Sequence, residues 1–220
     1  MYHSGQLCRQ RNYTMETLRM TTYIITNGDL LKAATSFNLI NAFAHGANCW
    51  SVMGAGIANH VRLNFPEIYR ADQLDERGPE QRLGNMSYAF DHDTGVWGFN
   101  LYTQFYPGPN ARMPSIISSV QIMFEQIHDI VEAKADETVY VGLPAIGCGI
   151  GGLNLTHVVG QINKIAETIF EDTRRRVVPV FYIREGDGFE KDLQELSQMI
   201  DFGISVVPNE EDVIEEESNG

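Results

Sequence analysis

Short β-prone runs alternate along the chain with stretches whose apolar residues recur every three or four positions, and this alternation predicts most of the elements. Residues 21–26 are β-branched and aromatic and stop at Asn27-Gly28-Asp29, strong turn chemistry, so they read as a first strand. Residues 37–44 are apolar, too few for a helix, and ended by His45-Gly46, which predicts a buried strand. Ile57, Val61 and Phe65 recur near helical spacing until Pro66, whose ring and missing amide break the pattern before a short helix over 67–74. Residues 75–82 are polar, contain Gly78-Pro79 and read as a loop. Two β-prone runs, 84–90 and 96–102, flank Asp91-His-Asp-Thr-Gly95 and predict an antiparallel hairpin.

After Pro107-Gly108-Pro109 a long helix is predicted, with Ile116, Val120, Met123, Phe124, Ile127, Ile130 and Val131 on the face that covers the sheet. A short buried strand follows over 139–143. Val158, Ile162, Ile165, Ala166 and Ile169 then mark another amphipathic helix, residues 177–183 the last strand, and Leu193, Leu196, Met199 and Ile200 a final helix over 190–202. Strands and helices in alternation predict an α/β protein, a three-layer α/β/α sandwich with a mixed central sheet. In such sheets ligands sit outside the C-terminal ends of the strands. The division expected is a leader over 1–20, one domain over 21–183, a C-terminal helical segment over 184–206 and an acidic tail over 207–220.

Two glycine-bearing stretches interrupt the pattern at such strand ends. The first runs from Asn48 through Gly54-Ala-Gly56-Ile57-Ala58 and opens into a helix; the second is Pro144-Ala-Ile146-Gly147-Cys148-Gly149-Ile150-Gly151-Gly152. Glycines let the backbone take positive φ and approach a ligand closely, and a helix N-terminus favours negative charge. Either loop alone is an ordinary tight turn; two in one domain suggest a grip on the two ends of a diphosphate.

Composition narrows the function further. A chain of 220 residues is long enough to bury one sizeable core, and no apolar run reaches the length of about 20 residues that spans a bilayer. The first 20 residues lack the apolar block of a secretory signal. A net charge of −13 disfavours nucleic acid, which is bound chiefly by cations matched to phosphates. Part of that charge crowds the end of the chain, from Glu210 to Glu217, where self-repulsion and the lack of apolar partners predict disorder. Cys8, Cys49 and Cys148 form neither a disulfide framework nor a paired metal spacing, which fits a reducing, cytoplasmic compartment. No metal-ligand cluster is evident.

Four pieces in this order, Asn27-Gly28-Asp29-Leu30, His45-Gly-Ala-Asn48 running into Gly54-Ala-Gly56-Ile57-Ala58, Asn100-Leu-Tyr-Thr-Gln104 and Pro144 to Gly152, give the chain a resemblance to the macrodomain family of ADP-ribose-binding modules. The resemblance covers most of residues 22–183. It is nearest to the branch holding the yeast ADP-ribose 1″-phosphate phosphatase, the terminal ADP-ribose protein glycohydrolase and phage proteins of that type. It implies ADP-ribose or a derivative as ligand and no cofactor. Asp29, beside Leu30, would accept a hydrogen bond from the adenine amino group, and Tyr182 or its neighbour Phe181 would pack on the base. Ile146, Gly147, Cys148, Gly149, Ile150 and Gly151 would surround the diphosphate. Gly54, Gly56 and Ile57 would line the distal ribose and its phosphate, and Asn48 would hold the distal ribose hydroxyls.

For catalysis the resemblance implies Asn48 as the group that positions water and His45 as a general acid, base or phosphate ligand. The blander alternatives are a capping aspartate, an asparagine that braces its loop and a structural histidine. His157 is a spare candidate. The glycohydrolase branch has a lysine and an aspartate where this chain has Gln104 and Gly151; neither can take over the amine or the base role. Hydrolysis of ADP-ribose 1″-phosphate is therefore the leading expectation. A reader of free or protein-linked ADP-ribose, a glycohydrolase acting on modified proteins and a protein for another nucleotide diphosphate are the alternatives.

Overall fold

The computed structural model describes residues 22–35, 40–134, 137–184 and 186–208. The expected leader, the start of the predicted second strand and the tail from residue 209 lie outside the described residues. A seven-stranded sheet runs through the centre. In chain order its strands are β1 (Thr22–Ile25), β2 (Ala42–Asn48), β3 (Met86–Asp91), β4 (Val96–Gln104), β5 (Val139–Leu143), β6 (Val177–Tyr182) and β7 (Ile204–Val207). Their spatial order is β3-β4-β2-β5-β6-β1-β7. Among the described residues only β3 runs antiparallel to its neighbour, as the predicted hairpin with β4 requires; the other pairs are parallel. Parallel strands covered on both faces read as unbroken apolar runs, and every residue of β1 and β6 is buried.

The helices are α1 (Leu30–Thr35), α2 (Gly56–Asn64), α3 (Pro66–Gln73), α4 (Pro79–Arg82), α5 (Met113–Ile130), α6 (Leu155–Thr173) and α7 (Glu190–Leu196). Helices α5 and α6 pack on each other and over β4 and β6, while α1, α2 and α3 lie against β2, β3, β4 and β5. The buried stripe of α5 includes Ile116, Val120, Met123, Phe124 and Ile127, as the spacing predicts. Asn154 caps α6, its Oδ1 accepting from the His157 amide at 2.9 Å. Helix α3 lies so near the sheet that a Cβ on Gly98 would stand 1.9 Å from Ile68 Cδ1.

The structure corrects several boundaries. The strand predicted to end before His45 instead begins at Ala42 and carries His45 and Gly46 inside it. The loop over 75–82 contains α4, and α1 follows directly on the Asn-Gly-Asp turn. The predicted final helix stops at Leu196; a 3-10 turn over Ile200–Phe202 follows, and then β7 pairs with β1. Leu196, Ile204 and Val207 are buried in the main core, so the segment after 183 completes the sheet, and Val207 belongs to a strand rather than to the tail. Periodicity missed this because a four-residue strand is shorter than one helical window.

Candidate functional site

Five parallel strands, β1, β2, β4, β5 and β6, end at one edge of the sheet, and the segments that leave them enclose a cleft of about 840 Å³. Asp29, Leu30, Asn48, Gly54, Gly56, Ile57, Ile146, Gly147, Gly149, Ile150, Gly151 and Tyr182 all line it. Folding thus brings together residues up to 153 positions apart in sequence, because they end or follow strands that finish at the same edge.

The loop after β2 is built around Asn48. Its Nδ2 donates to the Val52 carbonyl at 2.7 Å, and its Oδ1 accepts from the amides of Trp50 at 3.1 Å and Val52 at 3.3 Å. The side chain therefore braces the loop, with one amide hydrogen left for a ligand. Ser51 sits in the left-handed region at φ 55°, held by Gln73 Nε2 on its carbonyl at 2.9 Å and by Arg82 Nη1 on its hydroxyl. At the far end of the loop, α2 begins without a side-chain cap, and Gly56, Ile57 and Ala58 line the cleft there. Uncapped first-turn amides and the positive end of a helix dipole suit an anion.

The loop after β5 offers amides in the same way. The amides of Cys148, Gly152 and Leu153 donate within the loop, to Ala145, Gly149 and Gly147. Among the described residues, those of Gly149, Ile150 and Gly151 donate to no backbone carbonyl outside regular elements. Gly151 must be glycine here: a Cβ would lie 2.4 Å from the Gly147 carbonyl oxygen, a rigid backbone atom. Gly147 has φ 74°, the conformation that turns the loop back on itself.

At the β1 and β6 end, Asp29 Oδ1 accepts from the amides of Leu31 at 3.0 Å and Lys32 at 3.2 Å, so the residue caps α1 while facing the cleft. The Tyr182 ring lies against Gly28, where a Cβ would come within 2.6 Å of its Cδ1. Phe181 is fully buried in the core and does not line the cleft, whereas Tyr182 does. Lys32, His60, Arg184, Asp187 and Phe189 also line the cleft and were not anticipated. His60 sits one turn beyond Gly56, a signal legible in the sequence; Phe189 belongs to the C-terminal segment expected outside the domain.

Two expected site residues are not at the cleft. His45 is wholly buried, its Nε2 2.8 Å from Asn100 Oδ1 and its Nδ1 3.2 Å from the Gly46 carbonyl. Burial pushes its imidazole below the ordinary value, against the opposing pull of the Asn100 hydrogen bond. Strand alternation explains the placement: with β2 running on to Asn48, His45 shares the face of Phe43, which packs on Phe65. Cys148 points inward too, its thiol on the Ile146 carbonyl at 3.4 Å. Burial raises its thiol to about 12 and that of Cys49 to about 11, so neither is a thiolate near neutral pH. His157 is exposed and is absent from the lining of the cleft.

A mixed sheet of this order, sandwiched between helices and carrying two amide-bearing loops at its edge, defines the fold class: the chain has the macrodomain fold. It is 37% identical over 126 residues to the uncharacterized 17.5 kDa protein of the tk-vs intergenic region of Enterobacteria phage T4, covering 54% of this chain and 76% of that protein, and belongs to one family with it. It is 29% identical over 164 residues to the DNA ADP-ribosyl glycohydrolase of Mycobacterium tuberculosis, covering 74% of this chain but only 39% of that protein. To the ADP-ribose 1″-phosphate phosphatase of Scheffersomyces stipitis it is 28% identical over 152 residues, 60% of this chain and 86% of the phosphatase. Among solved structures, the Oceanobacillus iheyensis macrodomain with ADP superposes with a TM-score of 0.59 at 13% identity, over 84% of this chain and 95% of that one. No family model matches the chain. Among the described residues no helix is long and apolar enough to cross a membrane.

Proposed function

We propose that the cleft binds ADP-ribose and that the protein hydrolyses a substituent from its distal ribose, with the 1″-phosphate as leading substrate. The observation that carries this reading is the pair of amide clusters, on the β5 loop and at the uncapped start of α2, facing one cleft. Adenine lies between Asp29 and Tyr182, the diphosphate on the amides of Gly149 to Gly151, and the distal ribose beside Asn48. Water attacks the phosphorus of the 1″-phosphate, the P–O bond to the ribose breaks, and the ribose oxygen takes up a proton to give ADP-ribose and phosphate. Asn48 aligns the reacting groups and the α2 amides stabilise the phosphate oxygens.

With His45 buried, His60 is the histidine of the cleft lining that can carry the proton. The similarity to the S. stipitis phosphatase supports this reading. The similarity to the M. tuberculosis glycohydrolase supports a second, cleavage of a glycosidic bond at the same ribose carbon. Against that stands Gln104, whose Nε2 is engaged on the Tyr106 carbonyl at 3.1 Å and which offers no amine.

Phosphate release from ADP-ribose 1″-phosphate tests the proposal. His60→Ala should slow turnover by roughly 10² to 10⁴-fold with ADP-ribose binding retained, and Asn48→Ala by about 10²-fold with weaker binding as well, since it also unbraces the β2 loop. A wild-type protein that binds ADP-ribose yet releases neither phosphate from the 1″-phosphate nor ADP-ribose from an ADP-ribosylated substrate would reduce the function to recognition.

A further inference from the structure

Two exposed aromatic rings stand where the β2 loop meets the segment after β4. Trp50 is 52% exposed and Tyr106 59%, and their rings are nearly parallel, 10° apart, with centroids separated by 6.1 Å. Phe105 supports both edge-on, at 6.2 Å from Trp50 and 4.8 Å from Tyr106. Val52, also half exposed, continues the apolar surface towards the cleft, and so do Pro107 and Gly108.

These rings are held outward by their backbones. On one side, the Trp50 amide donates to Asn48 Oδ1, and the next residue, Ser51, is clamped by Gln73 and Arg82. On the other, the Tyr106 amide donates to Asn110 Oδ1 at 3.0 Å, and its carbonyl accepts from Asn110 Nδ2 at 2.7 Å and from Gln104 Nε2. Exposed apolar side chains on loose loops can fold back onto the core; rings on two braced loops cannot, and their solvation cost persists until something covers them. The position that lacks the glycohydrolase lysine, Gln104, thus supports one of the rings.

We infer that Trp50 and Tyr106 form a stacking platform beyond the distal-ribose end of the cleft, and that the protein takes ADP-ribosyl compounds whose distal ribose carries a flat, electron-poor heteroaromatic ring. The inference rests on the ligand orientation proposed above, and NAD+, with its pyridinium ring, is the simplest such compound. Aromatic faces attract both a flat base and a cation, so a pyridinium ring suits the pair on both counts.

The chain has two tryptophans, so Trp97→Phe leaves Trp50 as the sole indole reporter. In that background NAD+ should quench the fluorescence saturably and ADP-ribose should quench it much less. NAD+ should bind more tightly than ADP-ribose, and Trp50→Ala or Tyr106→Ala should weaken NAD+ by about tenfold while changing ADP-ribose by less than about twofold. Equal loss of both ligands in Trp50→Ala would show that the ring merely supports the loop, and the platform would fall. So would an unchanged preference in both variants, which would leave the rings to a protein partner. If ADP-ribose itself does not bind, the orientation fails first and the platform with it.

Discussion

Asp29 caps α1 and, in the proposed complex, also receives the adenine amino group. Its Oδ1 caps α1, so Asp29→Ala should cost about 0.5 to 2 kcal/mol of stability besides weakening ADP-ribose. Asp29→Asn separates the two: the amide oxygen still caps the helix, while the charge that would receive the adenine amino group is gone. Calorimetric titration of Asp29→Asn should show affinity reduced by about 1 to 3 kcal/mol with an unchanged melting temperature. If binding survives, adenine is read elsewhere. His45 belongs to stability rather than catalysis. Burial lowers its folded-state pKa from an ordinary value near 6.5, and the buried His128 is lowered likewise. Between those values and the ordinary one the unfolded chain binds more protons than the folded one. Stability, full above about pH 6.5, is therefore lost as the pH falls, by at most about 1.4 kcal/mol per unit for each group. Asp72, raised by burial, has the opposite sign, so a difference between variants is the useful readout. Urea unfolding of His45→Gln between pH 7 and 5 should give a shallower decline than the parent; parallel curves would contradict this account.

At the scale of elements, the loop after β5 works through backbone, and its weak point is Gly151. Gly151→Ala sets a methyl 2.4 Å from the Gly147 carbonyl oxygen and 2.6 Å from the Ala111 Cβ, so the loop must move. The residues that line the cleft there move with it. ADP-ribose binding should fall by more than tenfold while far-UV dichroism stays native; retained affinity would place the diphosphate on other donors. The loop was legible in the sequence because glycines punctuate it after a β-rich run, and the α5 stripe because its period is long and regular. His45 was not: whether a residue lies in a strand or after it decides which face it joins, and an apolar run followed by Gly46 marks that end poorly. The edge strand β7 was hidden for a different reason, since Ile204-Ser-Val-Val207 acquires its role only by pairing with β1. Truncation after residue 203 removes that pairing and the burial of Ile204 and Val207. It should lower the melting temperature by several degrees, each buried side chain contributing about 1.5 to 3 kcal/mol. An unchanged transition would show that the domain ends at β6.

For the whole molecule, the fold assembles a polyamide cleft in a chain that is strongly acidic overall. An anion in the cleft would be held by local dipoles rather than by net charge, so an acidic composition does not argue against a diphosphate. The central claim is that this cleft holds ADP-ribose in the folded state alone, and thermal unfolding with and without ligand tests it most directly. With ADP-ribose at about 100 times Kd, linkage adds roughly 2.7 kcal/mol, which for a domain of this size raises Tm by about 5 to 10 °C. Gly151→Ala should abolish most of that rise. A parent protein whose Tm does not move in millimolar ADP-ribose would contradict the account.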